Sequence, residues 1–165
     1  MRKWLLILSL TTAILSQKAL AEEGGSPLAP DMMMIQLGSH HSNLSAPRNI
    51  GSFESFNPGV IFSWEVNSSR GSISAGVFRN SYGSPSPVLS YSHRLKDFET
   101  GYVAAFAGIA DYGSDAEFVN NGGLGSLVPL AGLHIRHRNF YGQLIPAKEE
   151  AGWGAIVVFG LQFDL

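Results

Sequence analysis

Trp153 to Leu165, WGAIVVFGLQFDL, is the stretch that decides the fold. Counted back from the end in steps of two, Leu165, Phe163, Leu161, Phe159, Val157 and Ala155 share one face, and Asp164, Gln162, Gly160, Val158 and Ile156 share the other. A period of two belongs to an extended strand, whose successive side chains point to opposite sides. One face is wholly apolar, while the other mixes glycine and polar groups with apolar ones. That division suits a strand with hydrocarbon outside and a semi-polar interior.

The same alternation recurs upstream. Met32 to His41 places Met33, Ile35 and Leu37 on one face and Gln36, Gly38 and His40 on the other. Gly59 to Asn67 sends Val60, Phe62, Trp64 and Val66 outward and Ser63 and Glu65 inward, and Ser72 to Asn80 puts Ile73, Ala75 and Val77 outside. Val88 to Leu95 has Leu89 and Tyr91 as its apolar face. Gly101 to about Tyr112 leaves its parity open because both faces are small or apolar, and Leu127 to about Ile135 and Phe140 to Ile145 complete the set. The intervals Ser42 to Pro58, Ser81 to Pro87, Gly113 to Ser126 and Pro146 to Gly152 read as loops; Asn67 to Gly71, Lys96 to Thr100 and Arg136 to Asn139 read as tight turns. The pattern predicts an all-β fold, an eight-stranded antiparallel up-and-down transmembrane β-barrel with short periplasmic turns and longer outer loops. Such a barrel holds only side chains or one small ligand, so a pore is not expected. The competing reading is a soluble lipocalin-like barrel, which puts its apolar groups inside.

Export is read from the start of the chain. Arg2 and Lys3, an apolar run from Trp4 to Leu15 and Ala19-Leu20-Ala21 have the layout of a signal peptide cleaved after Ala21, and the run is too short for a membrane-spanning helix. Residues 1–21 are therefore the signal, 22–31 a short leader with two prolines and two glycines, and 32–165 the barrel domain of the bacterial outer membrane. Cleavage leaves 144 residues (165 minus 21) with 8 basic and 13 acidic side chains, a formal charge of −5 that argues against nucleic acid as a partner. The chain has no cysteine, which excludes a disulfide framework and lipid attachment at the new N-terminus. A monomer is expected.

Two prolines interrupt neighbouring strands, Pro129 in LVPLAGL and Pro146 in LIPA, 17 residues apart. Proline has no N–H for the ladder, so the pair would either mark strand ends at the rim or open a gap in the wall. Phe78-Arg79-Asn80-Ser81-Tyr82, Leu127 to Ala131, Leu144-Ile145-Pro146 and the terminal Phe163 together resemble the outer-membrane lipid A palmitoyltransferases (PagP). The resemblance runs from about Gly59 to the C-terminus. It implies that Pro129 and Pro146 flank a lateral opening through which a phospholipid acyl chain enters, to be transferred to lipid A. It also implies catalysis by a histidine just after the first strand, His40 or His41, with Ser81. The family's amphipathic N-terminal helix is missing, and Asn80 stands where the family has aspartate; it cannot act as a base and is expected at the catalytic site as a polar orienter. A histidine near a serine hydroxyl is what acyl transfer needs, a base near neutrality beside a donor for the oxyanion.

A second resemblance competes. His40-His41-Ser42-Asn43, Glu54 and Asn57-Pro58-Gly59 resemble the outer-membrane lipid A 3-O-deacylases (PagL), implying Ser42 as nucleophile, His40 as base and Glu54 as its orienter. That family carries the motif near its C-terminus, whereas here it lies at the first strand. A third reading is a non-catalytic surface barrel that binds a partner through its loops. His93, His134 and His137 have no metal spacing, and no cofactor is implied; His134 and His137 are expected beside Arg136 and Arg138, meeting phosphate or solvent. Trp64, Trp153, Tyr82, Tyr91, Tyr102 and Tyr141 are expected in interfacial girdles.

Overall fold

Eight antiparallel strands close into one barrel in sequence order: β1 Met32–Ser42, β2 Phe56–Val66, β3 Gly71–Arg79, β4 Pro85–Phe98, β5 Gly101–Asp111, β6 Leu127–His137, β7 Phe140–Glu149 and β8 Gly152–Asp164. The computed structural model describes residues 29–49, 51–66, 70–119, 123–149 and 152–165, so the expected signal peptide and the expected leader up to residue 28 lie outside the described residues. The C-terminal stretch closes the ring by pairing with β1, from Met32 opposite Asp164 to Ser42 opposite Ala155.

Several strands outrun the alternation. β2 begins at Phe56 and takes in Pro58, β4 begins at Pro85, and β7 continues past Pro146 to Glu149, so three of the expected loops are shorter than read. Strand-edge prolines account for this at β4. The β3–β4 ladder reaches Arg79 opposite Pro85, whereas the β4–β5 ladder starts only at Val88 opposite Ala110, so no neighbour on that side needs the missing N–H. The expected Gly113 to Ser126 loop contains a short 3-10 helix, Gly113–Phe118. The open parity of β5 resolves with Tyr102, Ala104, Phe106 and Ala110 buried.

The polarity is inside-out. Val60, Phe62, Val77, Tyr91, Ile135, Leu144, Val157 and Phe159 are exposed, while the largest fully buried side chains, Gln162, Asn57, Asn80, Ser63 and Ser86, are all polar. A lipocalin-like barrel requires the reverse.

The interior is layered along the barrel axis. At the turn end Arg136 grips Asp164 with two hydrogen bonds of 2.6 and 2.8 Å, and Arg94 pairs with Glu65 at 2.7 Å while lying 4.5 Å over the Tyr102 ring. Next comes a buried polar plug. His134 stacks between Tyr102 and Tyr141, its Nε2 lies 3.0 Å from Gln162 Oε1, and Gln162 Nε2 donates to the Tyr102 hydroxyl at 2.8 Å. Ser63 and Ser74, and Ser72 and Ser92, pair across the floor at 2.8 Å. Above the plug lies an apolar cluster of Met34, Ile61, Phe106, Tyr141, Ile145 and Val158, and above that the mouth. His134 thus points into the barrel rather than toward phosphate or solvent. Tyr102 and Tyr141 belong to the interior, not to a girdle, because the parity of β5 and β7 turns them inward.

Candidate functional site

Position along β1 decides which histidine can reach the interior. Strict alternation from Met32, Met34 and Gln36 would turn His40 inward. The register on both neighbours jumps between Gln36 and Gly38, leaving Leu37 as the extra residue of a β-bulge. Parity flips beyond it. Ser39 is buried and gives its hydroxyl to Asn57 Oδ1 at 2.6 Å, His40 is exposed, and His41 turns in. The His41 ring is stacked on Phe53, centroids 4.0 Å apart and 16° from parallel, and Phe53 meets Tyr82 edge-on at 5.9 Å. An aromatic clamp therefore holds the ring at the mouth.

Asn80 closes β3 and organises the next turn. Its Oδ1 accepts from the backbone N–H of Tyr82 at 2.9 Å and of Ser84 at 3.0 Å, the local bond that makes Asn a turn residue. Its Nδ2 donates to Ser86 Oγ at 3.1 Å and to Asp115 Oδ2 at 3.0 Å. Asn57 Nδ2 donates to the Asn80 carbonyl at 3.1 Å. With no solvent exposure and all four side-chain positions used, Asn80 shapes the segment that carries Ser81 and has no valence left for a substrate.

The two prolines share one seam. The β6–β7 ladder stops at Leu133 opposite Leu144, while β6 stays paired to β5 as far as Leu127 and β7 to β8 as far as Glu149. Arg138 N–H donates to the Thr100 carbonyl and Gln162 N–H to the Asn139 carbonyl. Counting from these bonds, odd residues of β6 and even residues of β7 turn their backbone polar groups toward the seam. The next hydrogen-bonded pairs would be Ala131 with Pro146 and Pro129 with Lys148, and each lacks one N–H. Two consecutive pairs are thereby weakened by about 1 kcal/mol each, and the wall opens there.

These features converge. His41, Ser81, Pro129, Pro146, Tyr82 and Tyr112 line one cavity of about 470 Å³ at the loop end. A smaller void beneath it touches Ser81 and continues down to Phe106, Ile145 and Val158. Among the described residues, neither the His41 ring nor the Ser81 hydroxyl has a hydrogen-bond partner. Burial, with Tyr82 and Asp115 adding to it, raises the Tyr112 phenol above its usual range, so this hydroxyl stays a donor.

The alternative triad is not assembled. Ser42 and His40 face outward, and both Glu54 carboxylate oxygens lie 2.9 Å from Arg79 Nη2 at the exposed rim, with no bond from Glu54 to His40. His137 bonds Thr100 at the turn end, and His93 is exposed. Among the described residues no cluster of histidine and acidic side chains could hold a metal. Asp115, Phe53 and Phe118 are site residues that the alternation did not reveal. They lie in loops, where period carries no signal, although Gly-Ser-Asp after a strand is a turn-forming cue. No protein-family model matches the chain, and no curated protein is significantly similar to it.

Proposed function

We propose that this barrel sits in the bacterial outer membrane and transfers an acyl chain from a phospholipid to lipid A, the activity implied by the resemblance to the palmitoyltransferases. One observation carries the reading: His41, Ser81, Pro129 and Pro146, four residues from four separate strands or turns, line a single cavity above an apolar interior. The apolar outer face supports the location, since a closed sheet satisfies its own backbone and can present hydrocarbon-compatible side chains to lipid.

In this reading an acyl chain slips sideways through the open β6–β7 seam and lies against Phe106, Ile145 and Val158, leaving its ester at the mouth. Neutral His41 takes the proton from an acceptor hydroxyl of lipid A, and the oxygen attacks the ester carbonyl. Ser81 donates its hydroxyl to the oxyanion. Collapse of the tetrahedral intermediate breaks the bond to the glycerol oxygen, and the imidazolium returns its proton to the departing lysophospholipid. The stack on Phe53 fixes the ring plane, the task a carboxylate performs in a triad. Asn80 acts one step back, by setting the turn that presents Ser81.

Expression in a gram-negative host followed by mass spectrometry of lipid A tests the proposal. One added acyl group, absent from His41→Ala and Ser81→Ala cells, is the expected result. Loss of an acyl group that depends on Ser42 would select the deacylase, and unchanged lipid A with folded protein in the outer membrane would select a loop-mediated binder.

A further inference from the structure

Among the described residues that line the cavity at the mouth, one carries a permanent charge. It is Lys148, beside Pro146, and no described carboxylate lies within salt-bridge distance of its ammonium. The other lining groups are apolar, aromatic or neutral polar, with His41 and Ser81 among them. Lys148 also stands at the edge of the open seam. By the parity counted above, its backbone faces the gap where Pro129 withholds a donor.

Its height on the barrel is marked independently. Lys148 is directly opposite Trp153 in the β7–β8 ladder, and its Nζ lies 5.9 Å from the centre of the Trp153 ring. Trp153 is 69% exposed on the outer face, the placement of an aromatic ring at the boundary of hydrocarbon and headgroups. A lysine at that depth, with no carboxylate partner among the described residues, meets the level of the bilayer where phosphates lie.

We infer that Lys148 is a headgroup site, binding the phosphodiester of the glycerophospholipid whose chain enters through the β6–β7 seam. This rests on the acyl-transfer reading for its substrate and extends it to a non-catalytic residue at the edge of the opening, whose side chain is given a role of its own. A phosphate held at Lys148 leaves the ester carbonyls next to the cavity mouth. The ammonium acts as a point charge, without the bidentate geometry an arginine would impose, so different phosphodiesters should be accepted.

The test uses the full barrel in detergent micelles with two donors of identical chains, dipalmitoyl phosphatidylglycerol and dipalmitoylglycerol. Acyl release is followed for wild type, Lys148→Arg, Lys148→Gln and Lys148→Glu. The expected result is a KM for phosphatidylglycerol raised roughly fivefold in Lys148→Gln and further in Lys148→Glu, near wild type in Lys148→Arg, with kcat unchanged. The KM for dipalmitoylglycerol should not move. Equal shifts for both donors, or none, would overturn the assignment.

A second arm is independent of turnover. In a Trp64→Phe background, the emission of Trp153 is titrated with each lipid, and half-saturation by phosphatidylglycerol should require more lipid in Lys148→Glu than in the Lys148 protein. Wild type that releases no acyl chain yet shows this difference would retain the phosphate site while removing the transferase reading. Active wild type with no difference in either arm would do the opposite.

Discussion

The two ends of the barrel interior are built from the same strands and differ in how completely their polar groups are partnered. At the turn end, Gln162, His134, Tyr102 and the serine pairs satisfy one another, the Arg136–Asp164 clasp closes the bottom, and the strands flanking β6 and β7 are laddered throughout. Tyr141 alone among the described residues keeps a buried hydroxyl without a partner. At the loop end, the side chains of His41 and Ser81 have no hydrogen-bond partner among the described residues, and two prolines have taken donors from the wall. A completed network makes a floor. An incomplete one leaves room, reactive groups and a way in.

The sharpest way to break this contrast is chemical. His41→Ala or Ser81→Ala should lower acyl transfer by roughly 10²–10⁴-fold, while Ser81→Ala changes the stability read from urea unfolding by no more than about 0.5 kcal/mol, as expected for a hydroxyl with no hydrogen-bond partner among the described residues. The turn end should respond oppositely. Gln162→Ala strands His134 Nε2 and the Tyr102 hydroxyl in the interior and should cost about 2–4 kcal/mol in urea unfolding, and its activity loss should follow the unfolded fraction.

The Asn80 turn offers a test at the boundary between the two regions. Asn80→Asp would set two carboxylates about 3 Å apart, since Asn80 Nδ2 lies 3.0 Å from Asp115 Oδ2. A loss of about 1–3 kcal/mol at neutral pH is expected, largely recovered in Asn80→Asp with Asp115→Asn, which restores an amide–carboxylate pair. Failure of the double variant to recover would mean that the turn does not depend on that bond. The smallest effect belongs to the seam. Pro129→Ala with Pro146→Ala returns both missing donors and should stabilise by about 1 kcal/mol net of the freer unfolded chain, while slowing acyl release from intact phospholipid more than from a short water-soluble ester.

Much of this was legible as period. Leu165 to Ala155, Val60 to Val66 and Ile73 to Val77 declare their outward faces because a strand alternates strictly and one face meets a uniform environment. β5 did not, because Ala104, Ala105, Ala107 and Ala110 are compatible with either side. The pair of prolines was visible as an anomaly, but its meaning depended on register, which sets both missing N–H groups toward the same seam. His40 and His41 could not be separated, since the choice depends on one inserted residue at Leu37 that no local preference announces.

Composition and alternation thus announce eight strands and which residues share a face, because side-chain polarity at every second residue is a local property of an extended chain; the closed ring and the outward turn of the apolar face belong to the tertiary structure. Which residues meet at the mouth is not local. Bulge, parity and the reach of the loop carrying Asp115 bring His41, Ser81 and the broken seam around one cavity, and only the ring closed through β1 and β8 fixes those three together.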